Sequence, residues 1–173
     1  MGLLSGLTRN PFLLTGLSSW LIAQVLKVLL HAALTGQLRW ERLFGDGGMP
    51  SGHAATVTAL AVLAGLVYGT DSFAFAVCGI LAVIVCHDAM GVRLETGRQA
   101  AVINRLLRES REPSREVLKE FVGHTPAQVA VGALIGGANA FLMHRLLFLL
   151  RSHFPHRPSP SLVTPAKPMT APL

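Results

Sequence analysis

The chain has 173 residues, of which 51% are apolar and 14% charged, with a mean hydropathy of +0.49. That length suits one domain, and that composition excludes an ordinary soluble one, so a membrane protein is expected. The formal net charge is +6, and the few, mostly basic charges suit anionic headgroups or phosphates as neighbours. A basic patch that binds nucleic acid would sit on a polar, soluble domain, so no nucleic-acid partner is expected.

In chain order, four apolar stretches reach the length a spanning helix needs, about 20 residues. They run roughly from 11 to 34, 51 to 69, 71 to 90 and 124 to 150. Residues Met1 to Leu14 lack the charged leader and small-residue cleavage site of a secretory signal, so the first run, with Lys27 inside it, is expected to be retained. Tyr68-Gly69-Thr70-Asp71 is a turn short enough to pair the second and third runs as an antiparallel hairpin. Cys78 and Cys86 lie in the third run, about 12 Å apart along a helix, too far to pair, and they read as small buried or lipid-facing residues. From Gly91 to Gly123 apolar residues alternate with arginines and glutamates, and Pro113 divides the segment into two expected amphipathic helices. The fourth run carries His144 and Arg145 near its end, and Gly132, Gly136 and Gly137 are expected to allow close helix packing. Beyond Phe154 the proline-rich tail is expected to be disordered.

The fold expected is therefore all-α: an integral, multi-pass membrane helix bundle with about four transmembrane helices and one or two amphipathic ones. A single domain covers residues 1–154, followed by the tail 155–173. Four spans put loops 35–50 and 91–123 on one membrane face. Nine Lys and Arg residues fall on that face and five on the other, which makes the loop face the cytoplasmic one by the positive-inside rule.

Three features share the loop face. Gly48-Met49-Pro50-Ser51-Gly52-His53 enters the second span, Arg93 follows the third, and Gly123-His124-Thr125-Pro126 enters the fourth. Two of them are helix starts, where unpaired amides and the positive end of the helix dipole favour an anion. Singly, the histidines and Ser51 read as helix-start residues; together with Arg93 they read as a site where one phosphate meets Ser51, His53, Arg93 and His124.

The ordered strings GGMPSGHAATVTAL, HDAMGVRLETGRQAAVINRL and GHTPAQVAVG resemble the divergent branch of the type 2 phosphatidic acid phosphatases and vanadium haloperoxidase relatives, over roughly residues 10 to 145. The resemblance implies that His124 attacks phosphorus to form a phosphohistidine, while His53 protonates the leaving oxygen and later activates water. It also implies that Arg93, Ser51 and the Gly52 amide bind the phosphoryl oxygens, with Lys27 matching the lysine of the family's first motif. The implied substrate is a phosphomonoester or diphosphate on a lipid or isoprenoid, and neither metal nor cofactor is expected.

Three departures stand beside these matches. No Arg-Pro pair follows Lys27 at the family's spacing, so one phosphate-binding arginine is missing or is supplied by Arg98 or another residue. The spacing from Arg93 to His124 is long. Gln128 replaces the acidic residue that orients the nucleophile, and Asp88 either supplies the missing charge or pairs with Arg93 or Arg98. The alternative reading is a membrane protein that binds phosphate or lipid headgroups without catalysis. A transporter or structural role follows only if the two histidines lie far apart.

Overall fold

The computed structural model describes residues 6–40, 43, 47–109, 117–120 and 122–153, with side chains as far as Leu149 apart from that of Phe148. The main helices are α1 (Pro11–Thr35), α2 (Gly52–Tyr68), α3 (Phe73–Met90), α4 (Val92–Glu109) and α5 (Pro126–His153), and no strand occurs among the described residues. The tail expected to be disordered lies outside them.

Local chemistry sets the helix limits. Asn10 caps α1, its side chain accepting from the amides of Phe12 and Leu13 at 2.9 and 3.3 Å, and Gly36 ends that helix at φ 69°. Ser51 caps α2 and Ser72 caps α3 in the same way. Between the last two helices the chain reverses at Gly69, whose φ of 88° admits glycine readily, so the expected hairpin forms.

Among the described residues three helical runs are long and apolar enough to cross a membrane: Pro11–Thr35, Phe73–Glu109 and Pro126–Leu147; α2 is apolar and shorter, with 17 residues. Helix α2 sits at the centre, packed against α1, α3 and α5, while α1 also packs against α5. Its buried residues are mostly alanine, and a Cβ on Gly132 or Gly136 of α5 would run into the backbone oxygens of Ser51 or Ala55. Small residues thus bring α2 and α5 to backbone contact, the means by which helices pack tightly in lipid. Gly137 differs from the expectation: a Cβ there would meet nothing within 4 Å.

The polarity of α1 is inverted relative to a soluble helix. Thr15, Ser19, Gln24 and Lys27 are buried, whereas Leu17 and Leu21 stand exposed. Asn139 of α5 faces this inner stripe, its Nδ2 lying 2.8 Å from both Ser18 Oγ and Ser19 Oγ. On the outer surface Ile80, Val83, Leu134 and Leu142 are all more than half exposed. Such a band suits lipid rather than water, and the molecule is a membrane helix bundle.

The run Phe73–Glu109 has 37 residues, roughly 55 Å of helix against about 30 Å of hydrocarbon, so its charged part, α4, extends past the apolar core. Of the two expected amphipathic helices, α4 forms. The second does not in its described part: residues 117–120 and 122 are irregular, and 110–116 and 121 lie outside the described residues. The reason is Asn104, buried on α4, whose Nδ2 donates to Leu118 O at 2.9 Å and whose Oδ1 accepts from Leu118 N at 3.0 Å. This amide occupies the backbone groups a helix would have used. The segment then runs back along α4: a Cβ on Gly97 would stand 2.6 Å from Glu120 O, and one on Gly123 would strike Leu94 N. Gly123 meets that approach with a φ of 85°.

Candidate functional site

Three helix ends converge where this returning segment arrives. The His124 amide donates to Ala89 O in the last turn of α3 at 2.9 Å, and the Ser51 amide donates to Gln128 O in the first turn of α5 at 3.1 Å. The 30 residues between Arg93 and His124 begin along α4, and their described end returns beside that helix to put Gly123 against the backbone of Arg93 and Leu94. The long spacing does not separate the two residues.

His124 is 1% exposed, and its ring meets that of His53 edge to face with centroids 5.9 Å apart. Nδ1 lies 3.4 Å from Gln128 Oε1, a long contact, while Nε2 is buried and makes no hydrogen bond. Gln128 does a second job. Its Oε1 accepts from the Thr125 backbone amide at 3.1 Å, and its backbone N–H donates to Thr125 Oγ1 at 3.4 Å. Thr125-Pro126-Ala127-Gln128 is therefore a capping box with proline at the first helical position. Because the Thr125 N–H requires an oxygen opposite it, the Gln128 side chain shows His124 an acceptor. That places the imidazole proton on Nδ1 and the lone pair on Nε2.

Burial pushes the His124 imidazole below its ordinary titration range. The Gln128 contact and the nearby Gly48 backbone oppose this, and the charges of Lys27 and His53 reinforce it. The ring is neutral at neutral pH.

Lys27, 4% exposed on α1, is thus electrostatically coupled to His124. One turn earlier Gln24 is also buried, its Nε2 donating to Leu43 O and its Oε1 without a partner. A Cβ on Gly52 would stand 3.5 Å from that oxygen and 3.2 Å from Trp20 Cδ1, so this glycine admits the side chains of α1 to the start of α2. Ser51 is wholly buried, and its Oγ accepts from the Ala54 amide at 3.3 Å, leaving its proton to donate.

The remaining expected residues are engaged with one another. Asp88 Oδ2 binds Arg93 Nε at 2.7 Å, with both side chains somewhat over 40% exposed, so the carboxylate partners the arginine and Gln128 partners the histidine. Arg98 is held by Glu95 on the exposed surface of α4. Among the described residues no three His, Cys, Asp or Glu side chains gather as a metal site. Sequence reasoning missed Gln24 and Thr125. The first was legible as a polar residue one turn from Lys27 in an apolar run, the second as Thr-x-x-Gln before an apolar helix.

Residues 8–139 match the family model described as the Divergent PAP2 family. The chain is also 40% identical over 144 residues to the uncharacterized membrane protein YuiD of Bacillus subtilis (strain 168), covering 75% of this chain and 90% of that protein. No solved structure matches the chain. The match spans every helix end that meets at His124, and the chain belongs to the divergent PAP2 family.

Proposed function

We propose that the protein is a membrane phosphatase that cleaves a lipid or isoprenoid phosphate through a phosphohistidine on His124. The observation that carries this reading is the state of the His124 ring: buried, neutral, and with an unpartnered Nε2 beside a second imidazole. Buried polar atoms are ordinarily satisfied, and an orphaned lone pair is what a nucleophile awaiting substrate presents.

In the first step Nε2 bonds to phosphorus as the bond from phosphorus to the lipid oxygen breaks, and His53 in its protonated form gives that oxygen its proton. His124 carries the positive charge this creates, with Nδ1–H against Gln128 Oε1. In the second step neutral His53 takes a proton from water, whose oxygen attacks phosphorus. The P–N bond breaks, phosphate leaves, and both rings return to their starting states. Lys27, the Ser51 hydroxyl and the Gly52 amide at the start of α2 bind the phosphoryl oxygens. Arg93, anchored to Asp88 through Nε, adds its Nη donors. The chemistry uses neither metal nor cofactor. The lipid-facing band around the bundle favours an amphiphilic substrate, and the excess of basic residues on the site's face makes that face cytoplasmic.

Phosphate release from a panel of lipid and isoprenoid phosphates by purified protein, with chelator present, tests the reading. Release abolished in His124→Ala is expected. One observation favours a second reading, phosphate or headgroup binding without turnover: the orienting partner of His124 is neutral, and the carboxylate of Asp88 is committed to Arg93. Binding of phosphate without release from any substrate would select it.

A further inference from the structure

Among the described residues two buried side-chain atoms, on the elements that meet around the start of α2, can only accept hydrogen bonds and have nothing to accept: His124 Nε2 and Gln24 Oε1. The second is oriented by its own amide, because Nε2 of Gln24 is committed to the Leu43 carbonyl and so turns the oxygen inward. Gln24 is 5% exposed, and its oxygen lies against the start of α2, 3.5 Å from where a Gly52 Cβ would stand. It is one helical turn from Lys27, whose charge acts on His124. An anion site with cationic and amide donors would bind any oxyanion of suitable size. An inward-facing acceptor changes this, because an oxygen lone pair opposite it repels and leaves the buried carbonyl unsatisfied.

We infer that Gln24 selects a protonated oxyanion: the site takes phosphate, which carries at least one P–O–H near neutral pH, and rejects sulfate, which carries none. Gln24 Oε1 accepts the hydrogen bond from that P–O–H, and the same contact favours the singly protonated form of a phosphomonoester over its dianion. The inference rests on the reading of this site as a phosphate site. It adds a specificity residue outside the histidine pair and the donors assigned to the phosphoryl oxygens.

The test is calorimetric titration of the full chain in detergent at pH 7 with inorganic phosphate and, separately, with sulfate at equal ionic strength. Wild type is expected to prefer phosphate by roughly ten- to hundredfold, the range set by one unsatisfied buried acceptor. Gln24→Met is expected to bring the two anions within about threefold, and Gln24→Glu, which retains an acceptor at the same reach, to keep the preference. Equal affinity of wild type for the two anions overturns the inference without recourse to any variant. So does failure of wild type to bind phosphate, an undiminished preference in Gln24→Met, or a lost preference in Gln24→Glu. Hydrolysis is scored in parallel: a phosphate preference without phosphate release supports the role of Gln24 while the phosphatase reading falls, and release without preference does the reverse.

Discussion

Thr125 donates its backbone N–H to Gln128 Oε1 at 3.1 Å, and this bond decides which end of the Gln128 amide faces His124. A glutamine in place of a carboxylate can hold a histidine in either tautomer. The capping box removes that freedom. Geometry at His124 is therefore kept, and the charge that would stabilise the imidazolium is lost.

Gln128→Glu preserves the capping box and adds that charge. We expect kcat on a lipid phosphate to rise by about ten- to hundredfold with KM little changed, since the added interaction is strongest when charge forms on the ring. Gln128→Leu breaks the box and the tautomer control together and is expected to lower kcat by at least about a hundredfold. Steady-state kinetics of the three proteins check the order.

The acid limb of kcat/KM is expected below the ordinary histidine value of 6.5, because burial lowers the His124 pKa and its neutral form is the nucleophile. In Gln128→Glu the carboxylate favours the imidazolium, so the same limb moves to higher pH. Stability follows the same shift. The unfolded chain binds a proton at His124 that the folded chain resists, so stability is full above 6.5 and falls as pH drops through 6.5 toward the lowered folded value. Thermal unfolding in detergent between pH 7.5 and 5 should show this loss in wild type and less of it in His124→Gln.

His53→Gln is expected to slow hydrolysis of an alkyl phosphate by roughly 10²- to 10⁴-fold, the usual worth of a positioned acid or base. An aryl phosphate whose leaving oxygen needs no proton should lose far less in the first step, so phosphohistidine should accumulate on the variant. A burst of released phenol followed by slow turnover is the signature to measure. Equal losses on both substrates, without a burst, would remove His53 from the proton transfer.

Gly132→Val and Gly136→Val should each destabilise the bundle by at least about 2 kcal/mol, because the new Cβ meets the backbone of α2 at Ser51 or Ala55. Gly137→Ala has open space and is expected to leave stability unchanged or slightly raised. Denaturation in mixed detergent compares them.

The helix limits were legible because Asn10, Ser51, Ser72 and the glycines at 36 and 69 mark them locally, and the apolar runs between have the length a bilayer demands. The meeting of His53 with His124 followed from topology, since both lie at helix starts on one face. The return of the chain along α4 was not legible. Val117 and Leu118 fit an amphipathic helix as well as an extended segment, and an asparagine at 104 reads as a solvent-facing helical residue until its amide is seen replacing backbone partners. Asp88 is ambiguous in the sequence for a similar reason: a carboxylate at the end of the third span can serve His124 or pair with Arg93 or Arg98, and the structure has it on Arg93 Nε. At Gln128 the missing charge and the capping box are written in the same four residues, Thr125 to Gln128.

The most direct test of the central claim is the chemical state of His124 during turnover. Wild type and His53→Gln, mixed briefly with an aryl phosphate and quenched in base, where a P–N bond survives, are digested and read by mass spectrometry. Phosphorylation of the His124 peptide, stronger in His53→Gln and absent from His124→Ala, is the predicted result. Phosphate release by wild type with no phosphorylated His124 at any quench time, or with undiminished release by His124→Ala, would contradict it.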